Sequence, residues 1–310
     1  MSQVPHAVSP ALQSVQVGEK GGFRWFHLDD PRSTALDELA ATFGLHELAI
    51  EDCRNVRTRA KFEEYEGHVF LVINTLHFDP EKCECWFGEF DIFVGKDFLI
   101  SVHDGPSRTF RAVHPRFKAD PKIAQPGRLL HALLDYIVDQ YLPVLDTIEG
   151  RIEELEQRAY ADPSPKLLEE IFELKRALID FRRVATAMRE TVNHVLHRTE
   201  TWLRSQQAYF RDVYDHVVRA LDFVETYRDI LNGVLDVHLT ATTNRTNEIV
   251  RVLTVYATLG LPLLLITGYY GMNFPNLLWI DDPNGPMYVH AMMGIVSLTL
   301  LFIFKQRKWF

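Results

Sequence analysis

The apolar positions in the first part of the chain fall in short runs that are rich in β-branched and aromatic residues. Gly, Asp and Pro separate these runs, a pattern typical of strands. Four segments predict strands of one sheet: GFRWFHLDD, HVFLVINTLHF, CWFGEFDIFVG and DFLISVHDG. Between the first two, STALDELAATFG and LHELAIEDC carry helix-start residues and helical spacing. We therefore expect residues 1–125 to form an α/β domain.

The apolar pattern changes to helical spacing in the middle of the chain. From Leu168 to Leu196, apolar residues recur at intervals of three and four along the whole run. The preceding run, LLHALLDYIVDQYLPVLDTIEGRIEELEQRAY, has its own apolar stripe, and ADPSPK separates the two runs with two prolines. The pattern predicts an antiparallel helical hairpin over residues 126–205.

A further helical run begins near Gln206 and contains no proline before Pro262. It predicts one helix of roughly 60 residues, on the order of 90 Å long, with a stalk at 206–251 and an uncharged part at 252–270. A second uncharged segment covers 287–304. Each segment has roughly 18–19 residues, enough to cross the ~30 Å of bilayer hydrocarbon. Two transmembrane helices are predicted, because buried core helices, the alternative, rarely run so long without a charge.

The charges around the two uncharged segments predict their orientation. Arg245 and Arg251 precede the first segment and the basic tail 305–310 follows the second, whereas the connecting loop carries Asp281 and Asp282 and no Lys or Arg. Cationic flanks favour the cytoplasmic side, so we expect both termini in the cytoplasm of a multi-pass protein of the inner or plasma membrane. The first 20 residues lack the apolar core of a signal peptide, in agreement with this orientation. The two loop aspartates either concentrate cations electrostatically or are solvated turn residues, and both interpretations stay open.

Composition narrows the function classes. A net charge of -9 and a pI near 5.8 fit a protein that handles cations, and no nucleic-acid partner is expected. The chain has no nucleophile, P-loop or dinucleotide motif, and its 13 histidines show no HExxH spacing, so we expect neither an enzyme nor an organic cofactor. Cys53, Cys83 and Cys85 are expected to be free thiols. The CEC sequence near His77 suggests zinc, but a four-ligand set at ordinary spacing is missing.

One helical hairpin cannot enclose a pore, so any transport function requires an oligomer.

YGMNF at 270–274 follows a proline-containing apolar helix, and it occurs together with two terminal spans and the tail KQRKWF. Together these features resemble a CorA-type divalent-cation channel of the metal-ion-transporter superfamily. AIEDCRNVRTRAKFEEYEGHVFLVI, YFRDVYDHVVRALDFVETYRDILNGVLDV and NRTNEIVRVLTVYATLGLPLLLITGYYGMNF resemble segments of that family, in the expected order.

The resemblance implies a funnel-shaped homo-oligomer, a pentamer in this family. Each copy would have an α/β N-terminal cytoplasmic domain, a long stalk helix and two C-terminal transmembrane helices. Its expected activity is the movement of hydrated Mg²⁺, with Co²⁺ and Ni²⁺ as further candidates, gated by cytoplasmic Mg²⁺. Two alternatives stay open. In the ZntB-like zinc branch, isoleucine is usual where this chain has Met272, and a membrane-anchored helical scaffold does not explain the polar Asn273 at the end of an uncharged span.

The predicted selectivity filter is formed by Gly271, Met272 and Asn273 in the external loop 271–286. Mg²⁺ holds its water shell tightly, so neutral oxygens that accept hydrogen bonds from the bound waters suit a selective site. Asn273 would supply its side-chain carbonyl, Gly271 would permit the backbone conformation that ends the helix, and Met272 would pack against adjacent subunits.

The pore-lining residues follow from helical spacing below an axis-facing asparagine filter. They are Asn247, Val250, Leu253, Ala257, Leu261, Leu264 and Gly268. This face is largely apolar and would gate by dewetting. In the family, threonine often occupies the position that Leu264 matches, so this chain departs from the pattern there.

Regulation is implied by the resemblance. The family senses cytoplasmic Mg²⁺ at carboxylates between subunits, where the ion offsets like-charge repulsion. By match to the family, Asp79 at a strand end and Asp212 in YFRDVYDH are the candidate regulatory metal ligands. Asp215 and Asp236 are weaker candidates on the same helix.

Overall fold

The computed structural model describes residues 16–20, 22–55, 59–80, 82–161, 164–198, 201–272, 277–279, 281–307 and 309. The chain divides into two compact units, Met1–Leu235 and Asp236–Phe310. The first unit combines a sheet with helices. The second contains the end of one long helix, the loop after it and one further helix.

One mixed sheet lies in the first unit. Its strands in the described part of the chain are β1 Gln16–Lys20, β2 Phe23–Leu28, β3 Lys61–Tyr65, β4 His68–Asp79, β5 Glu84–Gly95 and β6 Phe98–His103. The spatial order is β1-β2-β6-β5-β4-β3. Neighbouring strands are antiparallel except for β2 and β6, which are parallel. The four predicted strands are confirmed as β2, β4, β5 and β6, whereas the edge strands β1 and β3 had not been predicted.

Nine α-helices occur in the described ranges. They are α1 Thr34–Phe43, α2 Glu47–Arg54, α3 Arg108–Ala119, α4 Pro126–Asp139, α5 Tyr141–Ala161, α6 Pro165–Leu196, α7 Thr201–Arg204, α8 Gln207–Tyr270 and α9 Gly285–Gln306. The two helices predicted between the first two strands are confirmed as α1 and α2. Local sequence explains the bounds of α1, because the Ser33 hydroxyl accepts from the backbone N–H of Ala35 and Gly44 ends the helix at φ 65°.

The predicted hairpin needs one correction. The apolar run before ADPSPK was treated as one arm, but it forms two helices, because α4 ends at Asp139 and α5 begins at Tyr141. Pro143 lies in the first turn of α5, where its missing N–H has no intrahelical partner to lose. An ion pair of 2.8 Å between Arg158 on α5 and Glu170 on α6 joins the two helices close to their connection. The antiparallel pair is therefore α5 with α6.

The sheet is covered on both faces, because successive strand residues point to opposite sides. Trp25, Leu71 and Ile92 belong to one apolar core, which continues into α3 to α6 and the first part of α8. Phe26 and Phe93 belong to a second core that includes buried residues of α1 and α2. Each central strand therefore reads as a nearly continuous apolar run.

The two edges of the sheet are charged or irregular. In β3, Lys61 lies 2.5 Å from Asp52 and 2.8 Å from Glu63, and Glu64 pairs with Arg198. In β1 the register shifts between Gln16 and Gly18, as at a β-bulge. Both features are typical of sheet edges that do not pair further.

Helix α8 is continuous over 64 residues, about 96 Å at the usual helical rise, and contains Pro262. This confirms the single long helix predicted from the run after Gln206. Helices α8 and α9 are each long and apolar enough to cross a membrane. In each helix only 6% of the most apolar 18-residue segment is buried, whereas the core helix of a soluble domain is mostly buried.

Candidate functional site

The seven predicted pore-lining residues all lie on exposed positions of α8. They run from Asn247 to Gly268, and all of them are uncharged. The exposure is high even for the largest side chains, since Leu264 is 71% exposed and Leu261 is 61% exposed. Such a strip of exposed apolar surface requires lipid or other protein against it.

The opposite side of α8 is the side that is covered within the second unit. Val255 is buried, and the half-buried residues recur at Leu259, Pro262, Ile266 and Tyr270. At about 100° per residue, the mean direction of this stripe is roughly 180° from that of the predicted pore face.

Helix α9 carries a matching partly covered stripe. Val289, Met292, Val296 and Leu300 are half-buried, and Phe304 is buried. The spacing of three and four residues puts them on one face of α9. Both stripes are covered within the second unit, which leaves the predicted pore face uncovered within one chain.

The end of α8 places two of the three predicted filter residues. The N–H of Gly271 donates to the carbonyl of Thr267 at 2.9 Å, and the N–H of Met272 donates to the carbonyl of Tyr269 at 3.3 Å. Met272 is half exposed, as a contact residue for another copy would be. Asn273 lies outside the described residues.

Gly271 differs from the expectation in one respect. It was expected to end the helix through a special backbone conformation, but it is not among the described glycines with positive φ. Its constraint is steric instead, because a Cβ at this position would lie 3.1 Å from the carbonyl oxygen of Thr267. Neither Gly271 nor Met272, the two described residues that follow the helix, has a left-handed backbone conformation.

The loop before α9 is a compact turn. A carboxylate oxygen of Asp282 accepts from the N–H of Asn284 at 2.8 Å, and its carbonyl accepts from the N–H of Gly285 at 2.9 Å. Trp279 has φ 66°, and a Cβ on Gly285 would lie 2.1 Å from its carbonyl oxygen. Asp282 thus has a local structural role at the start of α9, whereas Asp281 is exposed.

The two predicted regulatory aspartates lie on different elements of the first unit. Asp79 ends β4, and its carboxylate accepts from the N–H of Lys82 at 3.3 Å and lies 3.9 Å from the Lys82 ammonium. Asp212 lies on α8 and is exposed. Asp215 and Asp236 also lie on α8.

Asp212 belongs to a cluster that sequence reasoning missed. One potential ligand atom each from Asp135 on α4, Asp212 and His216 lie within 4.8 Å of one another. The Nδ1 atom of His216 is 3.1 Å from Asp139, an arrangement that orients a histidine ring. The spacing of Asp212 and His216 by four residues was a signal in the sequence, but their proximity to Asp135 depends on how α4 packs.

Burial shifts the pKa values of two neighbouring groups in this region, Asp135 and His131. Burial raises the pKa of Asp135, and the nearby charge of His131 opposes that shift. Burial lowers the pKa of His131, against the effect of Asp135. Burial therefore disfavours the charged form of each group, and the interaction between the two groups favours it.

The three cysteines are free. Burial raises the pKa of Cys83 and raises the pKa of Cys85 to about 12, so both thiols stay protonated near neutral pH. Among the described residues, Cys83, Cys85 and His77 do not form a group with metal-ligand spacing. Nothing in the geometry of these residues supports the suggested zinc site.

Comparison with known proteins identifies the class. The sequence profile of the family described as CorA-like Mg²⁺ transporter protein matches residues 20–306. The chain therefore belongs to the CorA-like Mg²⁺ transporter family.

Individual relatives agree with this class. The chain is 33% identical over 285 residues to the "Cobalt/magnesium transport protein CorA" of Thermotoga maritima, covering 90% of this chain and 80% of that protein. It is 32% identical over 305 residues to the "Putative metal ion transporter YfjQ" of Bacillus subtilis, covering 94% and 92%. The fold matches the complete structure of the CorA magnesium transporter from Methanocaldococcus jannaschii, with a TM-score of 0.82, 22% identity and coverage of 93% and 92%.

Proposed function

We propose that this chain conducts Mg²⁺ across a membrane as a homo-oligomer, with Co²⁺ and Ni²⁺ as further candidate ions. The observation that carries the proposal is the uncharged, exposed face of α8 from Asn247 to Gly268, opposite the stripe covered within the chain. One copy cannot enclose a pore, so the faces of several copies must line it together. The printed names of the relatives support cobalt and magnesium as cargo, and a pentamer is the assembly that we propose.

In this proposal both termini are cytoplasmic, in the inner or plasma membrane. The cytoplasmic part comprises the α/β domain 1–125, the hairpin 126–205 and the stalk 206–251, and the spans cover 252–270 and 287–304. The basic tail 305–310 supports this orientation, as does the acidic loop between the spans. The protein is then a transporter and not an enzyme, and Mg²⁺ is both its cargo and its regulator.

The proposed filter at the end of α8 comprises Gly271, Met272 and Asn273. Carbonyl oxygens at the mouth of an apolar pore accept hydrogen bonds from the waters of a hydrated cation without binding it irreversibly. Cytoplasmic Mg²⁺ would bind between Asp79 of one copy and Asp212 of the next and hold the pore closed by offsetting their repulsion. The exposure of Asp212 is compatible with such a contact.

The test is Mg²⁺ uptake into proteoliposomes that contain the full chain. Asn273→Ala and Gly271→Ala should abolish uptake while the oligomer stays assembled, because the filter contacts ions and contributes little packing. Asn284→Ala is the matched control, since its side chain makes no capping hydrogen bond at the start of α9. Uptake near the wild-type level in correctly inserted Asn273→Ala protein rules out the filter assignment.

The same assay separates the alternatives. Uptake of Zn²⁺ without uptake of Mg²⁺ would favour the zinc-transporting branch. The fold is also similar to the ZntB cytoplasmic domain of Vibrio parahaemolyticus, with a TM-score of 0.59, 15% identity and coverage of 73% of this chain and 88% of that one. Absence of uptake for every divalent cation would favour the scaffold. Met272, where isoleucine is usual in the zinc branch, favours Mg²⁺.

A further inference from the structure

A cavity of about 540 Å³ lies in the first unit, and its described lining includes no predicted pore residue and no member of the aspartate cluster. Its walls come from the β4–β5 ladder, the start of α3 and the junction between α4 and α5. The volume lies within the roughly 300–1,000 Å³ that is typical of small-molecule sites. This cavity plays no part in the function proposed above.

The charged and titratable lining of the cavity is basic. His77, His103, Arg108 and Arg111 contribute to it, and no Asp or Glu lies among the described lining residues. The contrast matters because the chain as a whole has 42 acidic and 33 basic residues. In the described part of the chain, neither Arg108 nor Arg111 forms an ion pair. Positive charge is therefore concentrated here, and neither arginine has an ion-pair partner among the described residues.

Two histidines lie beside the arginines in this cavity. The Nδ1 atom of His103 is 2.9 Å from the carbonyl of Gly105, so Nδ1 carries a proton and Nε2 is left for another partner. Burial lowers the pKa of His77, and the charges of Arg108 and His103 lower it further. An anion between these groups would relieve that repulsion.

Hydrogen-bond donors converge on the same cavity. Helix α3 begins here with a positive dipole end. The Ser107 hydroxyl accepts from the N–H of Phe110 at 3.1 Å, which leaves the N–H groups of Arg108 and Thr109 without a partner within the helix. The hydroxyl oxygen of Thr75 is buried and lacks a hydrogen-bond partner. Gly88 faces it across the β4–β5 pair, where a Cβ would lie 2.6 Å from that oxygen. The bare glycine keeps space open beside an unsatisfied hydroxyl.

The rim of the cavity is aromatic. Trp86 is 64% exposed, and its ring makes an edge contact of 6.1 Å with the ring of His77. An exposed tryptophan beside a basic cavity suits a planar ring that stacks on it.

We propose that this cavity binds a phosphate-bearing anion, with Arg108, Arg111 and the start of α3 around the phosphate. Arginine and helix N-termini are the groups that proteins use for phosphate, through charge-assisted hydrogen bonds. A nucleotide fits the cavity better than free phosphate, because Trp86 then stacks on the base. The site is independent of transport, so its test stands apart from the flux assay.

The experiment measures binding to the full chain in detergent, in EDTA so that nucleotide-bound Mg²⁺ does not contribute. The probes are ATP, adenosine and inorganic phosphate, followed by calorimetry and competition. We expect ATP to bind, phosphate to compete with it and adenosine alone to bind far more weakly. Phosphate binding without any gain from the nucleoside identifies free phosphate as the ligand, and the anion site stands.

Variants connect the binding to the cavity. Arg108→Gln and Arg111→Gln lie on exposed positions and should leave the fold intact while weakening ATP and phosphate at least about tenfold, the effect of losing one charge-assisted hydrogen bond. Trp86→Ala should weaken ATP and leave phosphate unchanged. Arg116→Gln is the matched control, because Arg116 lies on α3 outside the cavity. Absence of binding by ATP and phosphate at millimolar concentration, or an equal loss in Arg116→Gln, would overturn the proposal.

Discussion

The proposed regulation by cytoplasmic Mg²⁺ can be tested at Asp212, because this residue has two possible sets of partners. In the proposed mechanism it faces Asp79 of an adjacent copy. Within one chain it lies beside Asp135 and His216, with ligand atoms within 4.8 Å of one another. Neutralising Asp79 and Asp212 together, as Asp79→Asn and Asp212→Asn, should leave flux intact but remove its closure by Mg²⁺.

The expected magnitude follows from the distance. Two carboxylates brought to about 4 Å across a contact between copies would repel by about 1 kcal/mol in water and about 4 kcal/mol at an effective dielectric constant of 20. Asp212 is exposed, so the lower figure applies to it after solvent screening. Applied to the proposed contact in a ring of five copies, this sums to about 5 kcal/mol, close to the ~5.5 kcal/mol that moves a two-state equilibrium from 1:99 to 99:1.

The assay is flux in proteoliposomes across a titration of Mg²⁺ on the cytoplasmic side, with Asp135→Asn as the matched control. Asp135 belongs to the cluster within one chain and is not a member of the proposed pair between copies. Asp135→Asn should therefore close at nearly the wild-type Mg²⁺ concentration, whereas the Asp79 and Asp212 double variant stays open.

The reverse result refutes the reasoning. If Asp135→Asn and His216→Gln abolish closure while Asp79→Asn does not, the sensor is the cluster within one chain. If the double variant still closes at the wild-type concentration, neither aspartate of the proposed pair senses Mg²⁺.

Two further predictions concern the pore and the cytoplasmic core. Leu264→Asn should raise flux at a Mg²⁺ concentration that closes the wild-type pore, because a polar side chain wets an apolar pore. The control is Leu265→Asn, since Leu265 is also a leucine and is 65% exposed on an adjacent face of the helix, and this variant should not raise flux. Equal effects of the two substitutions would show that Leu264 does not line the pore. Burial lowers the pKa of His27 from 6.5 to about 4. Between these pH values the unfolded chain binds more protons than the folded chain. The free energy of unfolding should therefore fall as pH drops through this window, by about 3 kcal/mol in all. Thermal unfolding of the full chain from pH 8 to 4.5 should show this fall, and His27→Phe, which keeps the stacking on Phe110, should flatten it; an unchanged slope in that variant would assign the fall to other groups.

The strands that could be predicted are those buried on both faces. Their apolar runs are long because alternate residues pack into the two cores on opposite faces of the sheet. Trp25, for example, belongs to the first core and Phe26 to the second. Edge strand β3, with the sequence KFEEY, has no such run, and its charged side chains are held by neighbours from other elements. The break at Gln140 was invisible for a related reason, since the apolar stripe continues across it from α4 into α5.

The candidate site divides in the same way. The pore face follows from periodicity along one helix, which sequence contains in full, and the exposed positions of α8 agree with it. The cluster of Asp135, Asp212 and His216 joins residues more than 70 positions apart in the sequence, and no local pattern encodes that contact. The basic cavity was missed for this reason too, because His77, Arg108 and their neighbours come from separate elements.

The guarded edges of the sheet limit how copies of this chain can meet. Extension of a sheet from one molecule into the next needs an exposed strand with regular, unhindered backbone groups. Here β3 is screened by the pairs of Lys61 and Glu64, and β1 carries an irregular register beside Gly18. In the proposed oligomer, neighbouring copies would therefore associate through side chains of helices and strand ends. Such contacts could break and re-form during gating while the sheets of two molecules stay unpaired.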